Sequence, residues 1–127
     1  MKEQISFSYE VFGSIDSLSE ADRQLLKKAR KVTKQAYAPY SRFFVGAAAL
    51  LQNGKTITGT NQENASSPVG LCAERVLLSA TASLYPAVPI LTIAISYINN
   101  KNGKSEHPAA PCGVCRQSLL EYELRQQ

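Results

Sequence analysis

An almost uninterrupted apolar run reads Phe43-Phe44-Val45-Gly46-Ala47-Ala48-Ala49-Leu50-Leu51. Apolar residues at successive positions, rather than at every second one, favour a β-strand that is covered on both faces. Asn53-Gly54 follows, a dipeptide that tolerates the positive φ of a tight hairpin turn, and residues 55–60 continue with β-branched side chains. We therefore expect two neighbouring antiparallel strands joined by a hairpin.

Three segments have the sequence features of helices. Ser17-Leu18-Ser19-Glu20 fits a capping box, which predicts a helix over residues 19–37. Residues 72–84 are apolar nearly all round, which is typical of a buried helix. Pro111 suits the first turn of a last helix over residues 112–125, because its missing N–H costs nothing there.

The order of these segments predicts an α/β fold. Residues 91–97 alternate between apolar and polar side chains, which predicts a third strand. Alternating strands and helices indicate crossover units on a mixed β-sheet with helices on both faces, a three-layer α/β/α arrangement. No strand pattern follows the last helix, so we expect the sheet to lack C-terminal strands. A length of 127 residues fits a single domain over residues 1–127, with residues 1–16 as an N-terminal arm.

The composition is that of an ordinary folded domain. Of the residues, 44% are hydrophobic and 19% are charged, which provides enough apolar material for a core and excludes a disordered or collagen-like chain. No apolar stretch approaches the roughly 18 residues that a membrane helix needs, and the N-terminus lacks the features of a secretory signal. We therefore expect a cytoplasmic protein with no membrane partner.

Basic residues give the chain a net charge of +4, and much of the excess lies within residues 23–34. Nucleic-acid binding must therefore be considered. The same segment places apolar residues three and four apart, which is typical of an amphipathic helix with a solvated basic side. Because no aromatic residues are interleaved to stack on bases, we expect no nucleic-acid partner.

The three cysteines, Cys72, Cys112 and Cys115, are an odd number, and structural disulfides are not expected without a secretory signal. Metal ligation or redox chemistry is the better interpretation. Cys112 and Cys115 are three residues apart, so on the first turn of a helix they share one side and can hold one ion. Exposed amides and helix dipoles at two helix N-termini favour the thiolate form, which binds metal.

Zinc accepts four tetrahedral ligands, so three protein sulfurs leave one position open, which is typical of a catalytic site. Glu74 lies two residues after Cys72, and side chains two apart on a helix point about 200° away from each other. Both reach one site only if that site lies beyond the helix end. A carboxylate there can take a proton from water, and the Arg75 cation would partly offset the charge that three thiolates donate.

Beyond the cysteines, five segments resemble the small homotetrameric cytidine deaminases in order and spacing. They are Ala36-Tyr37-Ala38-Pro39-Tyr40-Ser41-Arg42-Phe43, Val45-Gly46-Ala47-Ala48, Gly59-Thr60-Asn61-Gln62-Glu63-Asn64-Ala65, Cys72-Ala73-Glu74-Arg75 and Pro111-Cys112-Gly113-Val114-Cys115-Arg116-Gln117. The resemblance extends over residues 18–125, and five segments together are far more specific than any single motif.

The resemblance implies a zinc-dependent hydrolase that converts free cytidine and deoxycytidine to uridine and deoxyuridine in pyrimidine salvage, by hydroxide attack on C4 and loss of ammonia. It also implies a cytidine-deaminase-like fold and a homotetramer or homodimer. The implied zinc ligands are Cys72, Cys112 and Cys115, and Glu74 is the implied proton shuttle between water and N3 of the base. The implied substrate contacts are Phe43 beside the base, Asn61 and Glu63 on the ribose hydroxyls, and the Ala73 amide on the pyrimidine carbonyl.

Other interpretations of the cysteine cluster stay open at this point. His107, five residues before Cys112, could complete a closed Cys3His structural zinc site. Residues 112–115 could instead form a redox pair. A zinc-stabilised assembly module without catalytic activity is a third alternative.

The substrate residues also have alternative interpretations. Asn61 and Glu63 could merely satisfy loop amides, Phe43 could be ordinary core, and Arg75 could be an exposed helix cation. Ser67 occupies a place where an aromatic residue is common in the family that the chain resembles. This leaves a modified nucleoside or a related aminated heterocycle open as the substrate.

Overall fold

The computed structural model describes residues 1–100 and 107–127. A first helix is followed in chain order by two strands, a second helix, a third strand and a last helix. Their bounds are Glu20–Val32 for α1, Phe43–Leu51 for β1, Thr56–Thr60 for β2, Ala73–Leu84 for α2, Ile90–Asn99 for β3 and Gly113–Arg125 for α3. Short 3-10 turns lie at Ile15–Ser17, Thr33–Gln35 and Ser67–Val69.

The sheet has the strand order β2-β1-β3, and β1 pairs antiparallel with both neighbours. The expected hairpin is present, with Gly54 at a φ of +83° in the turn. The expectation of a mixed sheet is wrong for these described strands. Helix α2 does connect two strands of the same direction, β2 and β3, but β1 lies between them, so they form no parallel pair.

Helices cover both faces of the sheet, which confirms the three-layer α/β/α fold. Alternate residues of a strand point to opposite faces, and two buried clusters follow this alternation along β1. One cluster joins the strand to the first turns of α2 and contains Ala47, Ala49, Leu51, Ala73 and Leu77. The other joins it to α1 and contains Leu25, Ala29 and Ala48. Helix α3 packs against α2.

Helix α1 is shorter than the pattern predicts. Its N-cap is Ser19, whose side chain accepts a hydrogen bond from the amide of Asp22 at 3.2 Å. The α-helix ends at Val32 and tightens into the 3-10 turn Thr33–Gln35. The backbone is already extended at Ala36, ahead of Pro39, which has no N–H to continue the helix.

The basic side of α1 partly reaches the sheet instead of pointing only into solvent. Lys28 Nζ donates to the Thr56 hydroxyl at 3.3 Å, and Arg30 Nη1 donates to the Tyr97 carbonyl at 3.0 Å.

Residues 1–12 carry no helix or strand and are exposed. None of the helices in the described part of the chain has the length and apolarity needed to cross a bilayer.

Gly59 on β2 lets α2 lie directly against the sheet. A Cβ atom at this position would be 2.6 Å from the Leu77 nitrogen and 2.7 Å from the Ala73 carbonyl oxygen. Both of those atoms belong to the α2 backbone, which cannot swing aside as a flexible side chain can. The glycine therefore fixes the height of the first turn of α2 above the sheet.

We expect Gly59→Ala to lower the free energy of unfolding by about 1–3 kcal/mol, because the added methyl group overpacks the interface between α2 and β2. Gly13→Ala is the matched control, since no heavy atom lies within 4 Å of its added Cβ. Urea unfolding of both variants measures the difference. Equal stability of the two variants would show that α2 can shift without cost.

Candidate metal centre and active site

The three thiols lie at the N-termini of two helices. Cys72 is the N-cap of α2, Cys112 is the N-cap of α3, and Cys115 lies in the first turn of α3. Cys72 precedes the first helical residue, so it does not obey the angular spacing of the helix interior. Cys72 and Glu74 consequently line the same cavity. The sequence analysis expected this only for a site that lies beyond the end of the helix.

The distances between the sulfurs suit one small ion. Cys72 Sγ and Cys112 Sγ are 3.8 Å apart, and Cys112 Sγ and Cys115 Sγ are 3.4 Å apart. All three lie within 4.8 Å of one another. Sulfur atoms that bind tetrahedral zinc at about 2.3 Å lie about 3.8 Å from each other, so the donor set fits Zn²⁺.

His107 does not complete this cluster. Among the described His, Cys, Asp and Glu residues, the potential metal-binding group consists of Cys72, Cys112 and Cys115 alone. The exposed His107 is described and lies outside it. The alternative of a closed Cys3His site is therefore not supported by the geometry.

The two thiols of α3 lie in opposite electrostatic environments. A hydrogen bond from the backbone N–H of Cys115 holds the pKa of the Cys112 thiol below its ordinary value, and a hydrogen bond with the Cys115 side chain makes a smaller contribution in the same direction. Burial raises the pKa of the Cys115 thiol far above its ordinary value, and the hydrogen bond with the neighbouring Glu74 side chain raises it further. A divalent cation would relieve this second effect, because it stabilises a buried thiolate.

Glu74 is a buried acidic side chain with 7% of its surface exposed. It belongs to the first turn of α2, and its carboxyl group interacts with the Cys115 thiol. Buried carboxyl groups are rare unless they are paired or have a chemical role. Its position places an acid or base directly beside the thiol cluster.

A cavity of about 700 Å³ opens over this cluster. It brings together nearly all the residues that the sequence singled out: Phe43, Asn61, Glu63, Cys72, Ala73, Glu74 and Cys112. Cys115 lies buried behind them, with no exposed surface. Arg75 is not among the lining residues, and its Nη2 atom donates instead to the Gly70 carbonyl at 2.9 Å.

Asn61 and Glu63 hold the rim of the cavity through backbone contacts. Asn61 accepts from the Val45 amide and donates to the Phe43 carbonyl, both at 2.8 Å. Glu63 Oε1 accepts from the amides of Tyr40 and Ser41 at 3.0 and 3.1 Å. Both side chains therefore order the cavity rim, as the alternative interpretation proposed.

Phe43 is half-buried at the edge of the cavity and stacks on Tyr97, with ring centroids 4.7 Å apart and an interplanar angle of 22°. The sequence interpretation gave no role to Tyr97, nor to cavity residues such as Ile95 and Ala109. Tyr97 and Ile95 reach this site because β3 pairs with β1, which places Tyr97 opposite Val45 and Ile95 opposite Ala47; the sequence pattern does not specify this pairing.

A three-thiol cluster with a buried carboxyl group at the base of a cavity is the arrangement of a catalytic metal centre. Residues 19–126 match the family model described as the cytidine and deoxycytidylate deaminase zinc-binding region. The chain is 42% identical over 101 residues to the cytidine deaminase of Halalkalibacterium halodurans, covering 79% of this chain and 71% of that protein. It is 38% identical over 99 residues to that of Mycoplasma genitalium, covering 77% and 70%.

Solved structures agree with the sequence relatives. The crystal structure of cytidine deaminase from Mycobacterium tuberculosis matches with a TM-score of 0.66 at 40% identity, over 78% of this chain and 75% of that one. That of the enzyme from Burkholderia pseudomallei matches with a TM-score of 0.67 at 37% identity, over 81% and 76%. The chain belongs to the zinc-dependent cytidine deaminase family, and zinc is its cofactor.

In the zinc-free protein at neutral pH, we expect iodoacetamide to alkylate Cys112 faster than Cys115, by roughly tenfold or more. Cys112 is exposed and its lowered pKa leaves more thiolate, whereas burial protects Cys115 and raises its pKa. Peptide mass spectrometry after timed quenching measures the two rates. The urea-unfolded chain is the control, in which the rates should converge.

Proposed function

We propose that the protein is a hydrolase that deaminates free cytidine and deoxycytidine to uridine and deoxyuridine. The observation that carries the proposal is the buried Glu74 carboxyl group, which lies beside three clustered thiols at a cavity of about 700 Å³. This volume is within the range of small-molecule sites. Relatives of the chain carry the name cytidine deaminase, which supports the substrate class.

Cys72, Cys112 and Cys115 are the residues that hold zinc in this proposal. When bound, the ion supplies Lewis acidity and lowers the pKa of water towards neutrality. Cys72 and Cys112 are the N-caps of α2 and α3, so the unpaired amides of the first helical turns lie near the cluster and stabilise its negative charge. This position, together with the spacing of the sulfurs, supports the assignment.

Glu74 moves protons between water and the base. Its carboxylate takes a proton from the attacking water and delivers it to N3 of the pyrimidine while C4 accepts hydroxide. It then takes the proton of the new C4 hydroxyl and passes it to the amino group, so that the C4–N bond breaks, the C4 carbonyl forms and ammonia leaves. The burial of Glu74 excludes competing solvent from this transfer. Its place on the first turn of a helix keeps the carboxyl group close to the thiols throughout.

The remaining residues bind and orient the nucleoside. Phe43 packs beside the base, and the amide of Ala73, the first residue of α2, lies where helix N–H groups have no partner in the helix and can donate to the pyrimidine carbonyl. Asn61 and Glu63 contact the ribose hydroxyls. The Asn61 amide has a second hydrogen and a second lone pair beyond its two contacts with β1, which supports this role.

The wider setting follows from the same proposal. The enzyme acts in the cytoplasm in pyrimidine salvage, and it assembles as a homotetramer or homodimer. Arg75 supports the metal centre indirectly. It donates a hydrogen bond to the carbonyl of Gly70, two residues before Cys72, and so helps to hold the segment that leads into this ligand. Ser67 lines the cavity, so a panel of base-modified cytidines is the appropriate measure of substrate range.

We expect Cys72→Ser and Cys115→Ser to lose most of the bound zinc, because each removes one thiolate ligand. His107→Ala should retain zinc at the wild-type level, since His107 lies outside the cluster. Metal analysis of the purified proteins by mass spectrometry measures the zinc content per chain. Loss of zinc in the His107 variant would instead support the interpretation of the cluster as a closed Cys3His structural site.

We expect Glu74→Gln to retain zinc but to lower kcat for cytidine by about 100- to 10,000-fold, because the amide cannot accept and return a proton. Glu121→Gln, an exposed change on α3, is the matched control and should keep full activity. The loss of cytidine absorbance measures turnover. Full turnover in the zinc-loaded Glu74 variant would refute the proposed role.

A further inference from the structure

Tyr97 on β3 contacts a residue that lines the cavity and also the start of a segment whose later residues line it. Its ring stacks on Phe43, which lines the cavity from β1. Its hydroxyl donates a hydrogen bond to the carbonyl of His107. The same side chain therefore joins the strand that contacts the base to the segment that leads into Cys112.

The sheet fixes the position of the Tyr97 ring. Because β1 and β3 are antiparallel, Val45 pairs directly with Tyr97, and Phe43 is its diagonal neighbour on the same face. Diagonal neighbours are within reach of aromatic side chains. The ring centroids are 4.7 Å apart and nearly parallel, so Tyr97 restricts the orientations that the Phe43 ring can adopt.

The hydroxyl of Tyr97 acts on a different part of the site. Residues 107–111 connect to Cys112, and Ala109, Ala110 and Pro111 line the cavity. Tyr97 holds the start of this segment at the His107 carbonyl, while Arg116 Nε donates to the Pro111 carbonyl at 3.0 Å and holds its end. The segment is therefore tied at both ends to regular elements, β3 and α3.

We infer that Tyr97 is a positioning residue of the active site, which orients Phe43 through ring stacking and holds the segment before Cys112 through its hydroxyl. The inference rests on the proposed function, because Phe43 is taken there to contact the base. Tyr97 touches neither zinc nor substrate in this assignment. Its effect reaches both through the two groups that it holds.

Tyr97→Phe tests the hydroxyl alone, because it keeps the ring. We expect amides within residues 107–112 to exchange hydrogen faster, and zinc to pass to a competing chelator about fivefold faster, since about one hydrogen bond is lost. KM for cytidine should change less than about twofold, as the stack is intact. Wild-type exchange and zinc release in this variant would overturn the role of the hydroxyl.

Tyr97→Leu, compared with Tyr97→Phe, tests the ring. We expect KM for cytidine to rise about fivefold between the two variants, with kcat less affected, because loss of an aromatic stack frees the Phe43 ring. NMR signals of the Phe43 ring should show faster motion in the leucine variant. Equal KM values and unchanged ring signals would overturn the role of the stack.

Tyr9→Phe and Tyr9→Leu are matched controls on the exposed N-terminal residues and should change none of these readouts. The readouts also separate this inference from the proposed function. If the wild-type protein failed to deaminate cytidine, the proposed function would fall. Hydrogen exchange, zinc release and the Phe43 signals would still decide whether Tyr97 positions the segment and the ring.

Discussion

The site depends on the close contact between the first turn of α2 and the sheet. Gly59 has no side chain, so the backbone of α2 reaches van der Waals distance of β2 at Ala73 and Leu77. Ala73 and Leu77 are themselves fully or almost fully buried against β1. Because Cys72 and Glu74 flank Ala73, the same packing that forms the core also fixes a thiol and a carboxyl group at the base of the cavity.

Electrostatics then explains why a metal belongs at this place. Three thiols and a carboxyl group lie close together, and burial next to Glu74 raises the pKa of Cys115. The helix N-termini offset part of the unfavourable charge, as the lowered pKa of Cys112 beside the Cys115 amide shows. The partial charge at a helix end is about half an elementary charge, whereas a divalent cation supplies two and stabilises the thiolate form of the cysteines that bind it. The arrangement of the thiols and the Glu74 carboxyl group therefore favours a bound divalent cation.

The sequence predicted local features more completely than long-range ones. The apolar run, the Asn53-Gly54 turn and the helices that begin at two cysteines are encoded over a few residues, and their bounds agree closely with the structure. The convergence of Cys72 with Cys112 was predictable because thiols have few other uses in such a chain. The partner of β3 was not, because a crossover helix leaves open which edge of the sheet the next strand joins. The stacking of Tyr97 on Phe43 depends on that choice and was missed for the same reason.

The contacts of Asn61 and Glu63 show why a structural role and a binding role need not compete. Both side chains hold backbone amides around the start of β1, at Tyr40, Ser41 and Val45, and so fix their own orientation before a ligand arrives. A polar group that is already ordered loses less entropy when it binds than one that must first be fixed. Amide and carboxylate oxygens can each accept more than one hydrogen bond, so these residues can order the rim and contact a hydroxyl at once. A rim built in this way is therefore compatible with the proposed contacts of Asn61 and Glu63 with the ribose hydroxyls.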